Sequence, residues 1–193
     1  ILNILSERDF PADEIVALAS ERSKGREVSY GDDGVLEVRD LANFDFEGID
    51  LGLFSPGSKI SAEHAPRAAA SGCVVVDNTS QFRMDIDVPL IVPEVNREAL
   101  DGFRERNIIA NPNCSTIIAN VPVWPLHKAN PVQRMVVSTY QAASGAGMAA
   151  MLELEQQSRE VLEGKPVTCQ ALAYQLAFNC FCHNSPTGPN GYN

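Results

Sequence analysis

Short apolar runs recur along the first 112 residues, and they constrain the fold of this chain more than any other feature. They are apolar on both faces, which is typical of strands buried on both sides of a sheet. An Ala-rich segment with helical spacing, residues 59–71, stands between two of them. Strands that alternate with helices predict a parallel or mixed α/β sheet. The runs that we interpret as strands are residues 15–19, 49–54, 73–76, 90–92 and 107–110.

Further elements follow from turn residues and periodicity. Residues 1–8 indicate the end of a helix, and residues 28–30 and 35–38 are expected to pair as a hairpin. Residues 115–129 have a helical pattern that Pro122 and Pro125 should kink or interrupt. The pattern then predicts a long strand over 132–142 and an amphipathic helix over 148–162.

Polar clusters follow four of the predicted strands. In parallel α/β sheets, ligands collect at the carboxyl ends of the strands. The sequence therefore predicts a nucleotide or substrate crevice at that edge of the sheet. The clusters are residues 20–23, 55–58, 77–83 and 111–115.

Cys114 has the sequence context of a nucleophile. It follows an apolar run and a proline, and it opens a second apolar run, as at a strand-to-helix turn. The N–H groups and dipole of a helix N-terminus favour a thiolate, the form that attacks carbonyl carbon. The alternative is a buried structural cysteine, a common role for a free thiol.

The remaining cysteines and the charge limit the other possibilities. The chain has five cysteines, an odd number, and Cys180 and Cys182 form a C-x-C pair without a second pair. This favours reduced thiols in a soluble intracellular protein and no metal site. The net charge of −10 argues against nucleic acid as a partner. No apolar run approaches the roughly 20 residues of a membrane span, and no targeting segment is visible.

Several motifs, taken in order along the chain, resemble those of the aspartate-β-semialdehyde dehydrogenase family. They are residues 19–25 (ASERSKG), 75–84 (VVDNTSQFRM), 111–117 (NPNCSTI), 138–147 (STYQAASGAG), 177–179 (AFN), His183-Asn184 and 190–193 (NGYN).

The resemblance implies an enzyme that converts L-aspartyl-4-phosphate and NADPH to L-aspartate 4-semialdehyde, NADP and inorganic phosphate. This reaction belongs to lysine, threonine, methionine and isoleucine biosynthesis. The implied architecture is a Rossmann-like NADP-binding domain, residues 1–112, followed by an α/β catalytic and dimerisation domain, residues 113–193. A homodimer or tetramer is implied, in the cytoplasm or, if the protein is plant-type, in the plastid stroma.

The resemblance also assigns roles to individual residues. Cys114 would form an acyl-thioester, and Gln141 would orient the substrate. Arg83 and Asn113 would bind the substrate and phosphate. The cofactor-binding residues would be Arg22 and Ser23 at the 2′-phosphate, Ser55, Gly57 and Asn78 near the nicotinamide, and Ser144 and Gly145. Glu21 beside Arg22 leaves NAD open as an alternative to NADP.

Two parts of the family's machinery have no counterpart in these residues. We expect the Gly-rich phosphate loop before Ile1 and the catalytic histidine after Asn193, so that the chain is a piece of a longer protein and is inactive alone. His64 and His127 are interpreted as structural or surface residues, and His183 is not at the catalytic position. Two alternatives stay open: an N-acetyl-glutamyl-phosphate reductase-like enzyme, and a non-catalytic remnant that keeps only a dimer surface.

Overall fold

The chain is a mixed α/β protein, as the apolar runs predict. The computed structural model describes residues 1–32, 34–182 and 188–189. The strands are Ala17–Ala19 (β1), Glu27–Tyr30 (β2), Gly34–Asp40 (β3), Leu51–Phe54 (β4), Val74–Asp77 (β5) and Ile108–Ala110 (β6). The α-helices are Leu2–Glu7 (α1), Ser58–Ala70 (α2), Pro93–Asn96 (α3), Cys114–Ala129 (α4) and Met148–Leu162 (α5).

The strands of the described residues form two three-stranded sheets, in the orders β1-β3-β2 and β4-β5-β6. β1 pairs in parallel with β3, and β2 and β3 form the predicted antiparallel hairpin. β4, β5 and β6 are all parallel, with Phe54 opposite Asp77 and Asp77 opposite Ala110. The carboxyl ends of these three strands therefore meet at one edge, where three of the predicted polar clusters begin.

The core lies between α2 and the parallel sheet. Val75 of β5 and Ile108 of β6 are completely or almost completely buried. Ala65 and Ala68 of α2 are 0% exposed, since side chains of one methyl group let the helix approach the sheet closely. This packing fixes β5 and β6, and with them the polar segments that follow both strands.

The prediction of a strand over 132–142 is wrong. Residues 131–142 are all exposed and have no regular secondary structure. Their β-branched and aromatic residues have strand propensity, but no strand of the described residues pairs with them. Strand propensity mostly reflects the packing of side chains on a sheet. Without a neighbouring strand, the segment gains little stability from an extended conformation.

Two other expectations are corrected. Leu90 forms a single bridge to Ala110 in place of the predicted strand over 90–92. Pro122 and Pro125 lie inside α4 without interrupting it. The predicted motif positions His183, Asn184 and 190–193 lie outside the described residues.

The described contacts divide the chain into residues 1–134 and 135–193. In the second unit, α5 organises an irregular segment that follows it. The buried side chain of Gln157 accepts hydrogen bonds from the N–H groups of Leu176 (2.8 Å) and Ala177 (3.2 Å). Glu153 accepts from three consecutive N–H groups, Gln170 to Leu172. Among the described residues, no helix combines the length and the apolar character needed to cross a membrane.

Candidate active site

Cys114 is the first residue of α4, as its sequence context predicts. Asn113 is the N-cap, and its Oδ1 accepts a hydrogen bond from the N–H of Ser115 at 2.9 Å. This cap holds the first turn of a 16-residue helix, whose N-terminal dipole favours negative charge nearby. Cys114 is exposed. The turn therefore presents the sulfur atom of Cys114 at the N-terminal end of a helix.

Asp77, the last residue of β5, connects the elements that precede the Cys114 turn. Its carboxylate is completely buried. Oδ1 accepts hydrogen bonds from Ser61 Oγ (3.0 Å) and the N–H of Thr79 (2.9 Å), and Oδ2 accepts from Thr79 Oγ1 (2.8 Å). The carbonyl of Asp77 accepts from the N–H of Asn111 at 2.9 Å. One residue thus connects α2, the end of β5 and the segment that leads to Cys114.

Arg83 bridges the two polar segments that the sequence singled out. Its Nε donates to the carbonyl of Asn111 at 2.7 Å, and its Nη2 donates to the carbonyl of Asn78 at 3.1 Å. Arg83 as a whole is half-buried. Nη1 makes no hydrogen bond within the described residues, so its donors remain available to an anion. Arg83, the predicted phosphate-binding residue, therefore also connects the loop that follows β5 to the segment that precedes Cys114.

The predicted nicotinamide-side residues are close together. Asn78 Nδ2 donates to Ser55 Oγ at 3.3 Å. Gly57 has φ +96° and ψ 152° at the start of α2, a conformation that favours glycine, and a Cβ there would meet open space. A polar turn with an exposed backbone is suited to the close approach of a ligand.

Arg22 and Ser23 lie in a short 3-10 turn, Glu21–Ser23, that directly follows β1. Arg22 is exposed, and no ion pair to it occurs among the described residues. A free guanidinium at the carboxyl end of a parallel strand can receive a phosphate group. The predicted contact of Arg22 and Ser23 with the 2′-phosphate of NADP stays a prediction.

The other cysteines differ in their surroundings. Cys73 is buried beneath α2, and burial, with a smaller contribution from the charge of Asp50, raises the pKa of its thiol to about 11. Cys169, Cys180 and Cys182 are exposed. Burial thus makes Cys73 a poor nucleophile.

The remaining predicted site residues lie in the second unit. Gln141 belongs to the exposed irregular segment, and Ser144 and Gly145 form part of the 3-10 turn Ala143–Ala146. A Cβ at Gly145 would meet nothing within 4 Å, so the backbone there is open to close approach. Gly147, with φ +93°, then leads into α5.

The two described histidines have structural surroundings. His64 is buried in α2, and its Nε2 lies 3.8 Å from Glu63 Oε1. His127 stacks on Trp124, with ring centroids 5.6 Å apart, and its Nδ1 accepts a hydrogen bond from the N–H of Val132 at 3.1 Å. This bond secures the chain that leaves α4.

Two family models match the chain. "Semialdehyde dehydrogenase, NAD binding domain" matches residues 1–103, and "Semialdehyde dehydrogenase, dimerisation domain" matches residues 123–192. The predicted boundary near residue 112 falls between these matches and stays a prediction, whereas the contacts divide the chain after residue 134.

Curated relatives match over the whole chain. "Aspartate-semialdehyde dehydrogenase 2" of Vibrio cholerae is 47% identical over 192 residues, which are 100% of this chain and 57% of the relative. "Aspartate-semialdehyde dehydrogenase" of Aquifex aeolicus is 46% identical over 99% of this chain and 56% of its own length. The chain therefore spans somewhat more than half the length of these relatives.

Solved structures agree with the sequence matches. Aspartate semialdehyde dehydrogenase II of Vibrio cholerae, complexed with ASA, has a TM-score of 0.93 at 46% identity, over 99% of this chain and 56% of that one. The enzyme of Candida albicans with NADP has a TM-score of 0.55 at 26% identity, over 68% of this chain and 43% of that one.

Proposed function

This chain belongs to the semialdehyde dehydrogenase family, and we propose that it carries the nucleophile for reductive dephosphorylation of L-aspartyl-4-phosphate to L-aspartate 4-semialdehyde. The predicted resemblance is confirmed by aspartate-semialdehyde dehydrogenase relatives that match 99–100% of the chain. The observation that carries the proposal is the capped N-terminus of α4, where Cys114 opens the helix and Arg83 contacts the preceding segment.

In the first step, the thiolate of Cys114 attacks the acyl carbon of the substrate. A C–S bond forms, the bond from that carbon to the phosphate oxygen breaks, and inorganic phosphate leaves with the electron pair. The Nη1 donors of Arg83, which bond to none of the described residues, stabilise the charge of the departing phosphate. The product on the protein is an acyl-thioester, which stays reactive because sulfur is a good leaving group.

In the second step, the aldehyde is released and Cys114 recovers its thiolate. The hydride for this step is supplied by NADPH when it is bound. Arg22 and Ser23 would hold its 2′-phosphate, and the hydrogen-bonded pair of Ser55 and Asn78 would contact the nicotinamide side. Gly57 would let the cofactor approach the backbone closely, and Asn113 would bind the substrate or phosphate. In the second unit, the resemblance gives Gln141 a role with the substrate and gives Ser144 and Gly145 a role with the cofactor.

The assembly and the cell compartment are also part of the proposal. The match to a dimerisation domain supports a homodimer or tetramer. Bacterial relatives support a cytoplasmic enzyme of lysine, threonine and methionine biosynthesis. The preference for NADP is supported by the exposed Arg22 after β1.

The experiment compares two acyl phosphates. L-Aspartyl-4-phosphate should release about one equivalent of inorganic phosphate per chain without cofactor, because acylation needs only the nucleophile and the phosphate site. N-acetyl-glutamyl phosphate should release none, and the Cys114→Ser variant should be inactive with both. A burst with N-acetyl-glutamyl phosphate alone would favour the related reductase, and no burst with either would favour a non-catalytic remnant. We expect no complete turnover by the 193 residues alone.

A further inference from the structure

The loop that carries Arg83 is long and irregular, so its position depends on side-chain contacts. It extends over residues 78–88 between β5 and the bridge at Leu90. Two apolar side chains anchor it in the core, Phe82 at 3% exposure and Val88 at 5%. Arg83 lies next to the first anchor, and it fastens the loop to the carbonyl of Asn111, directly after β6.

A second arginine fastens the same loop at the other end of β6. Arg106 lies two residues before Ile108, the first residue of that strand. A single nitrogen, Nη1, donates to Asp85 Oδ2 at 2.8 Å and to Asp87 Oδ1 at 3.2 Å. The guanidinium carbon of Arg106 also lies 5.3 Å from the centroid of the Phe82 ring.

These contacts join three charged groups that are each partly shielded from water. The Arg106 side chain is 30% exposed, and the two aspartates are 38% and 43% exposed. Partial burial weakens the screening of the charges by water. Without Arg106, the carboxylates of Asp85 and Asp87 would face each other uncompensated, and their repulsion would move the loop beside Arg83.

We propose that Arg106 is a positioning residue that acts through Asp85, Asp87 and Phe82 to hold the Arg83 guanidinium at the turn before Cys114. The loop then lies along β6, with Arg106 at the start of the strand and Arg83 at its end. The consequence for phosphate binding rests on the proposed function, whereas the effect on Arg83 itself does not.

The test measures hydrogen exchange at the Nε–H of Arg83, which donates to Asn111, by NMR of the full chain. In the Arg106→Gln variant this exchange should become faster by about threefold to fivefold, the scale of losing ion pairs that are partly exposed. The backbone amides of Ile108–Ala110 should exchange as before. A purely structural role would accelerate all of them together.

Two variants serve as controls. Arg104 also lies over an aromatic ring, 5.6 Å from the centroid of Phe103, but none of the described ion pairs includes it. Arg104→Gln should therefore leave the Arg83 signal unchanged. Arg106→Lys should restore most of the protection, because one nitrogen contacts both carboxylates and an ammonium group can replace it.

The outcomes separate this inference from the proposed function. Unchanged Arg83 exchange in Arg106→Gln would overturn the inference. If that variant does not fold, Asp87→Asn takes its place, and it should accelerate Arg83 exchange by a smaller factor. Inorganic phosphate should shift the Arg83 signal, with weaker affinity in Arg106→Gln. Faster exchange without any phosphate binding would support the positioning role and contradict the phosphate role of Arg83.

Discussion

Replacing Gln157 by leucine should release the segment that follows α5. Gln157 is 0% exposed, and both the oxygen and the nitrogen of its side-chain amide make hydrogen bonds. Oε1 accepts from the N–H groups of Leu176 (2.8 Å) and Ala177 (3.2 Å), and Nε2 donates to the carbonyl of Thr168 (2.9 Å). Leucine has a similar size but neither donates nor accepts. Three backbone groups would lose their partner at once.

The magnitude follows from these three groups. A buried backbone group that loses its partner costs about 1–3 kcal/mol. We take the lower value for each group, because a segment without regular structure can turn some of these groups towards water. The expected loss is about 3 kcal/mol in the free energy of local opening, or roughly a hundredfold in its equilibrium constant.

The assay is hydrogen exchange at the amides of Leu176 and Ala177, which should be about a hundredfold faster in Gln157→Leu. The matched control is Gln156→Leu. Gln156 is exposed, and its Nε2 donates to Glu160 Oε1 and Thr168 Oγ1 at the surface. Its replacement should change exchange at these amides by no more than about twofold. Equal effects of the two substitutions would show that burial of Gln157 does not determine the cost.

Three further predictions concern other parts of the chain. The thiol of Cys73, with its pKa raised to about 11, should be the slowest of the five cysteines to react with iodoacetamide at pH 8, measured by peptide mass spectrometry; early modification would contradict its burial. The hydrogen bond from the N–H of Ala171 lowers the pKa of Glu153, and burial opposes it only in part. The carboxylate therefore stabilises the fold above its unfolded pKa of about 4.3, and this stability is lost as the pH falls through the lower folded value. Amide protection at Ala171 should decrease with acid in the parent chain but not in Glu153→Gln. Gly57→Ala should lower the melting temperature through about 1–3 kcal/mol of backbone strain at φ +96°, whereas Gly102→Ala, which meets nothing within 4 Å, should not.

Local patterns predicted much of the fold because the elements depend on nearby residues. The helix predicted over 59–71 is observed as Ser58–Ala70, and the one predicted over 148–162 is α5. The apolar runs gave β4, β5 and β6 within two residues at each end. Apolar periodicity reports which faces are buried, and this information is present within each segment.

The segment over 132–142 shows where local patterns are insufficient. Its residues favour a strand, but a strand needs a partner from elsewhere in the sequence. No described residue provides one, and side chains such as Val136 (80% exposed) and Tyr140 (89% exposed) remain uncovered. Strand propensity indicates the conformational preference of a segment, but it does not indicate whether a partner strand is present.

The candidate site also has features that local sequence predicts and features that depend on distant contacts. The sequence predicted the strand-to-helix turn at Cys114, because such a turn is encoded within a few residues; the cap at Asn113 was seen only in the structure. It gave no individual role to Asp77 or Arg106, because the contacts that join them to other elements are distant in sequence: Asp77 to Ser61, 16 residues away, and Arg106 to Asp85, 21 residues away. A signal for Asp77 was present: an aspartate at the end of a wholly apolar strand must find partners when it is buried.

In the proposed function, Cys114 accepts an acyl group from L-aspartyl-4-phosphate. The most direct measurement is peptide mass spectrometry of the chain after incubation with this compound without cofactor. We predict a mass gain of one aspartyl group on Cys114, which hydroxylamine removes because it is a thioester, and no gain in the Cys114→Ser variant. An adduct spread over Cys169, Cys180 and Cys182, or no adduct on Cys114, would contradict the account.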